Sequence, residues 1–251
     1  MNHVSFIIQA RMSSSRLPSK ILFPFFDDKN TLDLLTQKLK DNFPNIPIIL
    51  ATSHKKDNDV LEKYARDKSL LVFRGDENDV LSRFINAAKQ FNIEKIIRIC
   101  SDNPFLDIKE LHKLVNFIET NDLDYVSFNV NGIPSIKTHF GFWAECVSFV
   151  ALKNVAELTQ ETLYHEHVTN YIYENPNLFT IRFLLPNINV IGKNDIRMTL
   201  DTIDDFQTLS KIYSLLSTQY DEFGIDEIIS FLNENPQYKD SMNRQIAMNS
   251  K

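Results

Sequence analysis

A basic segment near the start of the chain, Ala10–Lys20, carries residue types that bind phosphate. Its three cations are Arg11, Arg16 and Lys20, with serine hydroxyls between them. Arginine presents a planar fork to phosphate oxygens, lysine a mobile point charge, and backbone N–H groups in a turn can cradle an anion. The spacing predicts a site where the three side chains converge on one polyphosphate, although an exposed basic loop has the same composition. The patterns GxxxxGK[ST] and GxGxxG are absent from the segment, so it is neither of those phosphate-binding loops.

Two aspartates, Asp102 and Asp201, each follow a short apolar run. One or two carboxylates, together with phosphate oxygens and water, are the usual ligands of Mg²⁺. We predict that Asp102 and Asp201 hold one Mg²⁺ against a bound phosphate. The run Ser101–Pro104 consists largely of ordinary turn formers, so a purely structural turn is the competing interpretation of Asp102. Asp205, three residues after Thr202, fits a helix-capping box and is predicted to be structural.

Predicted strands and helices alternate around these residues. Apolar runs predict strands at Val4–Ile8, Ile46–Ala51, Leu70–Phe73, Lys95–Ile99, Tyr125–Phe128, Phe179–Leu185 and Arg197–Leu200. Apolar residues at helical spacing predict helices at Thr31–Lys40, Asp57–Lys68, Asp79–Phe91, Asp107–Glu119, Ser148–Leu158, Glu166–Glu174, Ile203–Leu216 and Ile225–Asn233. Such alternation favours an α/β fold with a mostly parallel sheet covered on both faces. Ligands of such sheets bind beyond the carboxyl ends of the strands, where the basic loop and both aspartates are expected.

The remainder of the pattern predicts a loop or hairpin at Asn129–His139 and a polar, fraying tail from Asn235. We expect one domain over residues 1–251, with its core in about 1–216 and a helical tail in about 217–251. The length and a hydrophobic content of 43% suit a single α/β domain.

The composition also limits the class of partner. A formal net charge of −6 argues against binding to a nucleic acid polymer. Two cysteines outside any CxxC motif argue against a disulfide framework. His165 and His167 lie two positions apart on a predicted helix, so they do not share a face as zinc ligands would. No apolar run reaches membrane-spanning length and no secretory leader pattern is present, so we expect a cytoplasmic protein without membrane contact.

Several motifs resemble one known family, in the order in which that family has them. The runs Phe6–Met12 and Ser15–Lys20 resemble the opening motif of the SpsF-type spore coat polysaccharide cytidylyltransferases, relatives of the CMP-KDO and CMP-acylneuraminate synthetases. Further matches follow at Val72–Gly75 with Asp79–Phe84, Arg98–Pro104, Glu166–Ile172 and Arg197–Asp205. The resemblance covers roughly residues 4–210, and the opening and Glu166–Ile172 runs are its most specific parts.

This resemblance implies a Rossmann-like, three-layer nucleotidyltransferase fold that uses CTP and Mg²⁺. The residues that would bind the nucleotide are Ala10, Arg11, Ser13, Arg16, Lys20, Arg83 and Asp102. Arg11, Lys20, Asp102 and Asp201 would be the catalytic residues, and Asp102 and Asp201 would hold the metal. A homodimer is expected from the wider synthetase family only.

Some residues depart from the family pattern. Ser13 and Ser19 stand where the family usually has glycine, which permits positive φ and close backbone approach to a ligand. Trp143 stands where the family usually has aspartate, in a segment expected to border the acceptor. Glu145 and His167 are candidate acceptor contacts, with a structural packing role as the alternative for His167.

We therefore expect a cytidylyltransferase that transfers CMP from CTP to a sugar acid or related activated sugar and releases pyrophosphate, for cell-surface polysaccharide or glycoconjugate biosynthesis. Three alternatives stay open. They are a cytidylyltransferase for a phosphorylated or phosphonate small molecule, a glycosyltransferase that uses a nucleotide sugar, and a non-catalytic nucleotide-binding protein.

Overall fold

A mixed β-sheet, in which most neighbouring strands are parallel, forms the centre of the protein. The computed structural model describes residues 3–13 and 16–249, so Ser14 and Ser15 of the basic loop lie outside the described residues. The strands are β1 (Val4–Gln9), β2 (Ile48–Ser53), β3 (Leu71–Gly75), β4 (Lys95–Cys100), β5 (Tyr125–Val130), β6 (Ile133–Pro134), β7 (Glu145–Ser148) and β8 (Ile181–Leu184). Their order in the sheet is β3-β2-β1-β4-β7-β5-β6, and β8 pairs with β5.

Helices cover both faces of this sheet. They are α1 (Thr31–Asn42), α2 (Asp59–Asp67), α3 (Val80–Phe91), α4 (Ile108–Thr120), α5 (Phe149–Leu158), α6 (Thr162–Glu166), α7 (Asn170–Glu174), α8 (Ile203–Gln219), α9 (Ile225–Glu234) and α10 (Gln237–Met248). Phe6 and Ile8 belong to one buried cluster with α1, α2, α4, α8 and α9, whereas Ile7 belongs to a second with α3, α5 and α7. Because successive strand residues point to opposite faces, the two clusters lie on opposite sides of the sheet. The predicted three-layer, Rossmann-like α/β fold is therefore confirmed.

The described part of the chain, residues 3–13 and 16–249, contains no helix with both the length and the apolar character that crossing a membrane requires.

The strand register brings two loop starts together at one edge of the sheet. Gln9, the last residue of β1, pairs with Cys100 at the end of β4 and with Ala51 of β2. All three strands are parallel, so their carboxyl ends lie at this edge. The basic loop after β1 and the aspartate loop after β4 consequently leave the sheet side by side.

Strand β7, which the apolar pattern did not predict, runs antiparallel to both β4 and β5. Its first residue, Glu145, pairs with Arg98 of β4. An antiparallel strand begins at the edge where its parallel neighbours end, so Glu145 lies under the same edge as the two loops.

A capping box fixes the start of α8. The Thr202 side chain accepts a hydrogen bond from the Asp205 N–H, and the Asp205 carboxylate accepts one from the Thr202 N–H. These bonds satisfy backbone donors that a helix start otherwise leaves unpaired. The structural role predicted for Asp205 is confirmed. The loop that carries Asp201, just before α8, is held against the start of this helix.

The segment Arg197–Leu200 was predicted to be a strand, but it is not one. Its backbone bonds to two loops and not to a neighbouring strand. The Met198 N–H donates to the His139 carbonyl and the Leu200 N–H donates to the Asp102 carbonyl, each at 2.8 Å. This segment therefore joins the loop that carries Asp102 to the loop that carries Asp201.

Two predicted helical features also differ. The segment Glu166–Glu174 was predicted as one helix, but α6 ends at Glu166 and α7 begins only at Asn170. Between them, Thr169 is turned into the core, where its hydroxyl donates a hydrogen bond to Glu145. The tail predicted to fray after Asn235 instead forms α10, whose Met242 side chain is buried. One buried methionine on an otherwise polar helix gives little apolar periodicity to detect.

Candidate active site

A cleft of about 430 Å³ opens beyond the carboxyl edge of the sheet. Its walls come from the basic loop, the ends of β1 and β4, the segment after α6 and the loop before α8. The residues that line it are Gln9, Arg11, Arg16, Lys20, Ile21, Arg98, Cys100, Ser101, Asp102, Glu166, His167 and Asp201. The cleft thus brings together most of the residues predicted from sequence, across nearly the whole length of the chain.

Lys20 lies between the two predicted metal ligands. Its Nζ is 3.5 Å from Oδ2 of Asp102 and 3.4 Å from Oδ1 of Asp201, and it also donates to the Leu200 carbonyl. One ammonium group within reach of both carboxylates means that Asp102 and Asp201 face the same small volume. Two such carboxylates, completed by phosphate oxygens and water, form a suitable donor set for one Mg²⁺.

Asp201 is held from below by a buried arginine. Nη2 of Arg197 lies 2.9 Å from Oδ2 of Asp201, while Nη2 of Arg16 approaches Oδ1 from the solvent side at 2.8 Å. Arg197 also pairs with Asp205 at 2.8 and 2.9 Å and lies 2.6 Å from Nδ1 of His139. Arg197 therefore fixes the direction in which the Asp201 carboxylate points.

Glu145 is buried beneath the cleft and does not line it. Its carboxylate accepts hydrogen bonds from Nη1 of Arg98 at 2.7 Å, from the Thr169 hydroxyl at 2.9 Å and from the Tyr125 hydroxyl. Arg98 does line the cleft, where its Nη2 donates to Gln9 at 3.3 Å. The structure therefore places Glu145 as a support behind Arg98 and not in the cleft itself.

Arg11 and Glu166 face each other across the cleft, with Nη2 and Oε1 separated by 3.5 Å. His167 follows Glu166 at the rim. Partial burial lowers the pKa of His167, and the positive charges of Arg98 and Arg11 lower it further, whereas Glu166 acts in the opposite direction. These surroundings favour the neutral form of the imidazole.

The other residues singled out in the loop do not line the cleft. Ala10 is buried, and its N–H donates to the Ala51 carbonyl at 3.1 Å. The Ser13 hydroxyl donates to Glu77. Ser19 has a φ of 61°, in the left-handed region, but Ser13 does not have a positive φ. Of the two serines that stand in place of glycine, only Ser19 has the backbone conformation that favours glycine.

Two further residues highlighted by the sequence lie in the protein interior. Arg83, on α3, is fully buried outside the cleft lining, and its Nη1 donates to the Asp76 carbonyl at 2.6 Å. Trp143 is buried in an aromatic cluster, where its Nε1 donates to Glu110 at 2.9 Å. Trp143 is therefore part of the buried core and does not line the cleft.

The cleft also contains residues that were not predicted from the sequence. Gln9, Arg98 and Glu166 all line it, yet none was predicted as a contact. The signal for Gln9 and Arg98 was a polar side chain inside an apolar strand, close to its carboxyl end. Such a residue lies at the edge of a parallel sheet where ligands bind.

Helix α10 supports both sides of the cleft. The Gln245 amide accepts a hydrogen bond from Thr202 at 3.1 Å and donates to Asp204 at 2.8 Å. Asn249 accepts one from Arg16 at 3.1 Å. The end of the described chain thus contacts both the start of α8 and the basic loop.

Comparisons with known proteins agree with this architecture. A family model described as cytidylyltransferase matches residues 5–238. An uncharacterized protein of Methanocaldococcus jannaschii, MJ1063, is 38% identical, and the match covers 97% of this chain and 96% of the relative. The spore coat polysaccharide biosynthesis protein SpsF of Bacillus subtilis is 32% identical over 94% of this chain and 96% of its own length.

A solved structure adds the same comparison in three dimensions. A cytidylyltransferase from Leptospira borgpetersenii superposes with a TM-score of 0.82 at 28% identity, covering 95% of this chain and 97% of that one. With a family match over most of its length and relatives above 30% identity, this chain belongs to the cytidylyltransferase family.

Proposed function

We propose that the protein transfers CMP from CTP to a hydroxyl group of a sugar acid and releases pyrophosphate. The observation that carries the proposal is the position of Lys20, within 3.5 Å of Asp102 and 3.4 Å of Asp201. Arg11 and Arg16 lie on the same cleft. Cations bind a triphosphate, and carboxylates bind its metal ion. The cleft contains both kinds of group within a few ångströms of each other.

The reaction is an in-line displacement at the α-phosphorus of CTP. The acceptor oxygen forms a new bond to that phosphorus while the bond to the bridging α–β oxygen breaks. Pyrophosphate leaves with the electron pair, and the proton of the acceptor hydroxyl is lost to solvent. Such chemistry depends on positioning and on neutralising charge, with no covalent enzyme intermediate.

Arg16 pairs with Asp201, and Lys20 lies between Asp102 and Asp201. When the triphosphate enters, the two cations turn to its oxygens and offset the charge that develops on the departing pyrophosphate. Asp102 and Asp201 are then available to the metal. When bound there, Mg²⁺ supplies polarisation of the α-phosphate.

The acceptor occupies the end of the cleft formed by Arg98, Glu166 and His167. Arg98 is held from behind by Glu145 and presents a fixed positive charge, which suits the carboxylate of a sugar acid. The neutral imidazole of His167 can exchange hydrogen bonds with the hydroxyl groups of a sugar. The name of the Bacillus subtilis relative supports a role for the product in cell-surface polysaccharide biosynthesis.

A pyrophosphate-release screen tests the proposal. Each of the four ribonucleoside triphosphates is combined with Mg²⁺ and a panel of sugar acids, their neutral methyl esters, and phosphorylated small molecules. We expect release with CTP and a sugar acid, and loss of release with the matching ester. Release only with phosphorylated acceptors would replace the sugar acid by the alternative acceptor class. No release with any acceptor would overturn the proposed reaction.

A further inference from the structure

Helix α10 reaches the cleft from outside every motif that the sequence singled out. It packs on the rest of the protein through Met242, which is 2% exposed and whose Sδ accepts a hydrogen bond from the Arg197 N–H at 3.5 Å. Tyr238, in its first turn, packs against the ring of Phe231 on α9, with the ring centroids 5.7 Å apart. Because Arg197 also fixes the direction of Asp201, α10 is attached to the residue that orients a carboxylate of the cleft.

Gln245 is a buried polar contact between α10 and the start of α8. It is 7% exposed, and both ends of its amide are paired. Oε1 accepts a hydrogen bond from the Thr202 hydroxyl at 3.1 Å, and Nε2 donates one to Oδ2 of Asp204 at 2.8 Å. Turning the amide over would place Oε1 against the Asp204 carboxylate, so the side chain has one orientation. Gln245 therefore fixes the end of α10 against the loop that carries Asp201.

Asn249, one turn further along the chain, is held by Gln245 and contacts Arg16. Its Nδ2 donates to the Gln245 carbonyl at 3.0 Å and to Oε1 of Gln245 at 3.2 Å. Its Oδ1 accepts a hydrogen bond from Nη1 of Arg16 at 3.1 Å. Because the donor end of the Asn249 amide is used on α10, its acceptor end is the one presented to the basic loop.

The guanidinium of Arg16 is thus held at both of its terminal nitrogens. Nη1 donates to Asn249, and Nη2 donates to Oδ1 of Asp201 at 2.8 Å. Asp201 lines the cleft and is a proposed metal ligand, whereas Asn249 is neutral and does not line the cleft. The Arg16 side chain is 48% exposed, so its order depends on these partners. Ordering a long side chain only at the moment of binding costs conformational entropy.

We propose that Asn249 is a positioning residue for the triphosphate of CTP and acts through Arg16. When the nucleotide binds, Nη2 of Arg16 leaves Asp201 for a phosphate oxygen, while Nη1 stays on Asn249. The guanidinium turns about this fixed contact and remains in the cleft. The proposal rests on the role of Arg16 in the proposed function and adds the residue that holds this arginine in place.

The test measures nucleotide binding by calorimetry with Mg²⁺ and without an acceptor. Dissociation constants for CTP and CMP are determined for the wild type, Asn249→Ala, Arg16→Met, the double variant and Asn243→Ala. Asn243 lies exposed on α10, so this control removes the same kind of side chain from the same helix. CMP lacks the phosphates that leave as pyrophosphate, so it reports on the rest of the nucleotide site and on the folding of each variant.

We expect Asn249→Ala to raise the dissociation constant of CTP by about three- to tenfold, the usual effect of one lost hydrogen bond. The dissociation constant of CMP should not change. In the Arg16→Met background, Asn249→Ala should cause no further weakening, because the residue through which Asn249 acts is absent. Asn243→Ala should bind both nucleotides as the wild type does.

Wild-type binding of CTP by Asn249→Ala would overturn the proposal. So would equal weakening for CTP and CMP, or effects of the two substitutions that multiply in the double variant. Unchanged CTP binding by Arg16→Met would overturn both this proposal and the role assigned to Arg16 in the proposed function. Because no acceptor is present, an error in the proposed acceptor class changes none of these results.

Discussion

Arg197 and Asp205 form a two-point ion pair, with N–O distances of 2.8 and 2.9 Å, in the buried floor of the cleft. The same guanidinium lies 2.9 Å from Asp201, a proposed metal ligand. Asp205 also closes the capping box at the start of α8. One buried pair therefore joins the start of a helix to the orientation of a carboxylate in the cleft.

Replacing Asp205 by asparagine should destabilise the protein strongly. The change leaves the buried Arg197 with one carboxylate fewer, and breaking a buried pair typically costs about 3–5 kcal/mol. Denaturant unfolding should show this loss in the free energy of unfolding. The matched control is Asp122→Asn, since the Asp122 side chain is 95% exposed and its ion pair contributes little. Equal stabilities for the two variants would contradict a structural role for the pair.

The variants Asp102→Asn and Asp201→Asn test the metal ligands with little change in shape. We expect each to lower the rate of pyrophosphate release by about 100-fold or more, as expected when a group that stabilises transition-state charge is lost. Electron paramagnetic resonance of Mn²⁺ should show weaker binding of the metal–CTP complex. Asp67→Asn, at the exposed end of α2, serves as the control. Wild-type rates in both cleft variants would exclude these residues as ligands.

His167 should titrate below about 6.5, the value of an unperturbed histidine, because burial and nearby positive charge disfavour its protonated form. The imidazole is therefore mostly neutral at pH values above its lowered pKa. It gains its charge only as the pH falls through that pKa. Arg11→Gln removes a positive neighbour and should raise the pKa of His167. Glu166→Gln removes a negative neighbour and should lower it further.

An NMR titration of the His167 ring measures its pKa in the wild type and in the two variants. Shifts in the same direction for Arg11→Gln and Glu166→Gln would show that these charges do not control the imidazole.

Replacing Ser19 by glycine should stabilise the basic loop. Ser19 has a φ of 61°, and the left-handed conformation costs a non-glycine residue about 1–2 kcal/mol. The larger conformational entropy of glycine in the unfolded chain offsets about 0.5–1 kcal/mol of this stabilisation. Thermal unfolding should show a small net gain. Ser13→Gly is the matched control: Ser13 lacks a positive φ, so that variant should gain no stability. A gain in both would rule out backbone strain as the cause.

The sequence predicted the layered fold because its signals are local. The β1 and β4 runs are continuously apolar, as expected for strands buried on both faces, and their polar ends identify the edge where the cleft opens. The rule that ligands bind beyond strand ends placed Arg16, Lys20 and Asp102 at one edge of the sheet. Asp201 lies on the same cleft, although the strand predicted directly before it is absent.

Other features depend on distant partners and give no local signal. Strand β7 has only four residues. Its first residue, Glu145, was predicted as an acceptor contact, and its position behind Arg98 depends on distant partners, Arg98, Tyr125 and Thr169. Glu77, between β3 and α3, was not singled out from the sequence. Its lack of a partner at Oε2 is visible only once its burial is known.

The position of α6 and α7 has a consequence for how this enzyme can diversify. Glu166 and His167 lie in an excursion between β7 and β8, whereas Asp102 and Arg98 belong to the end of β4 and its loop. One wall of the cleft is therefore built by a short helical segment, roughly residues 161–175, that contributes no strand to the sheet. Under the proposed function, substitutions of Glu166 or His167 change the surface offered to the acceptor and leave the strand ends that carry Arg98 and Asp102 unaltered.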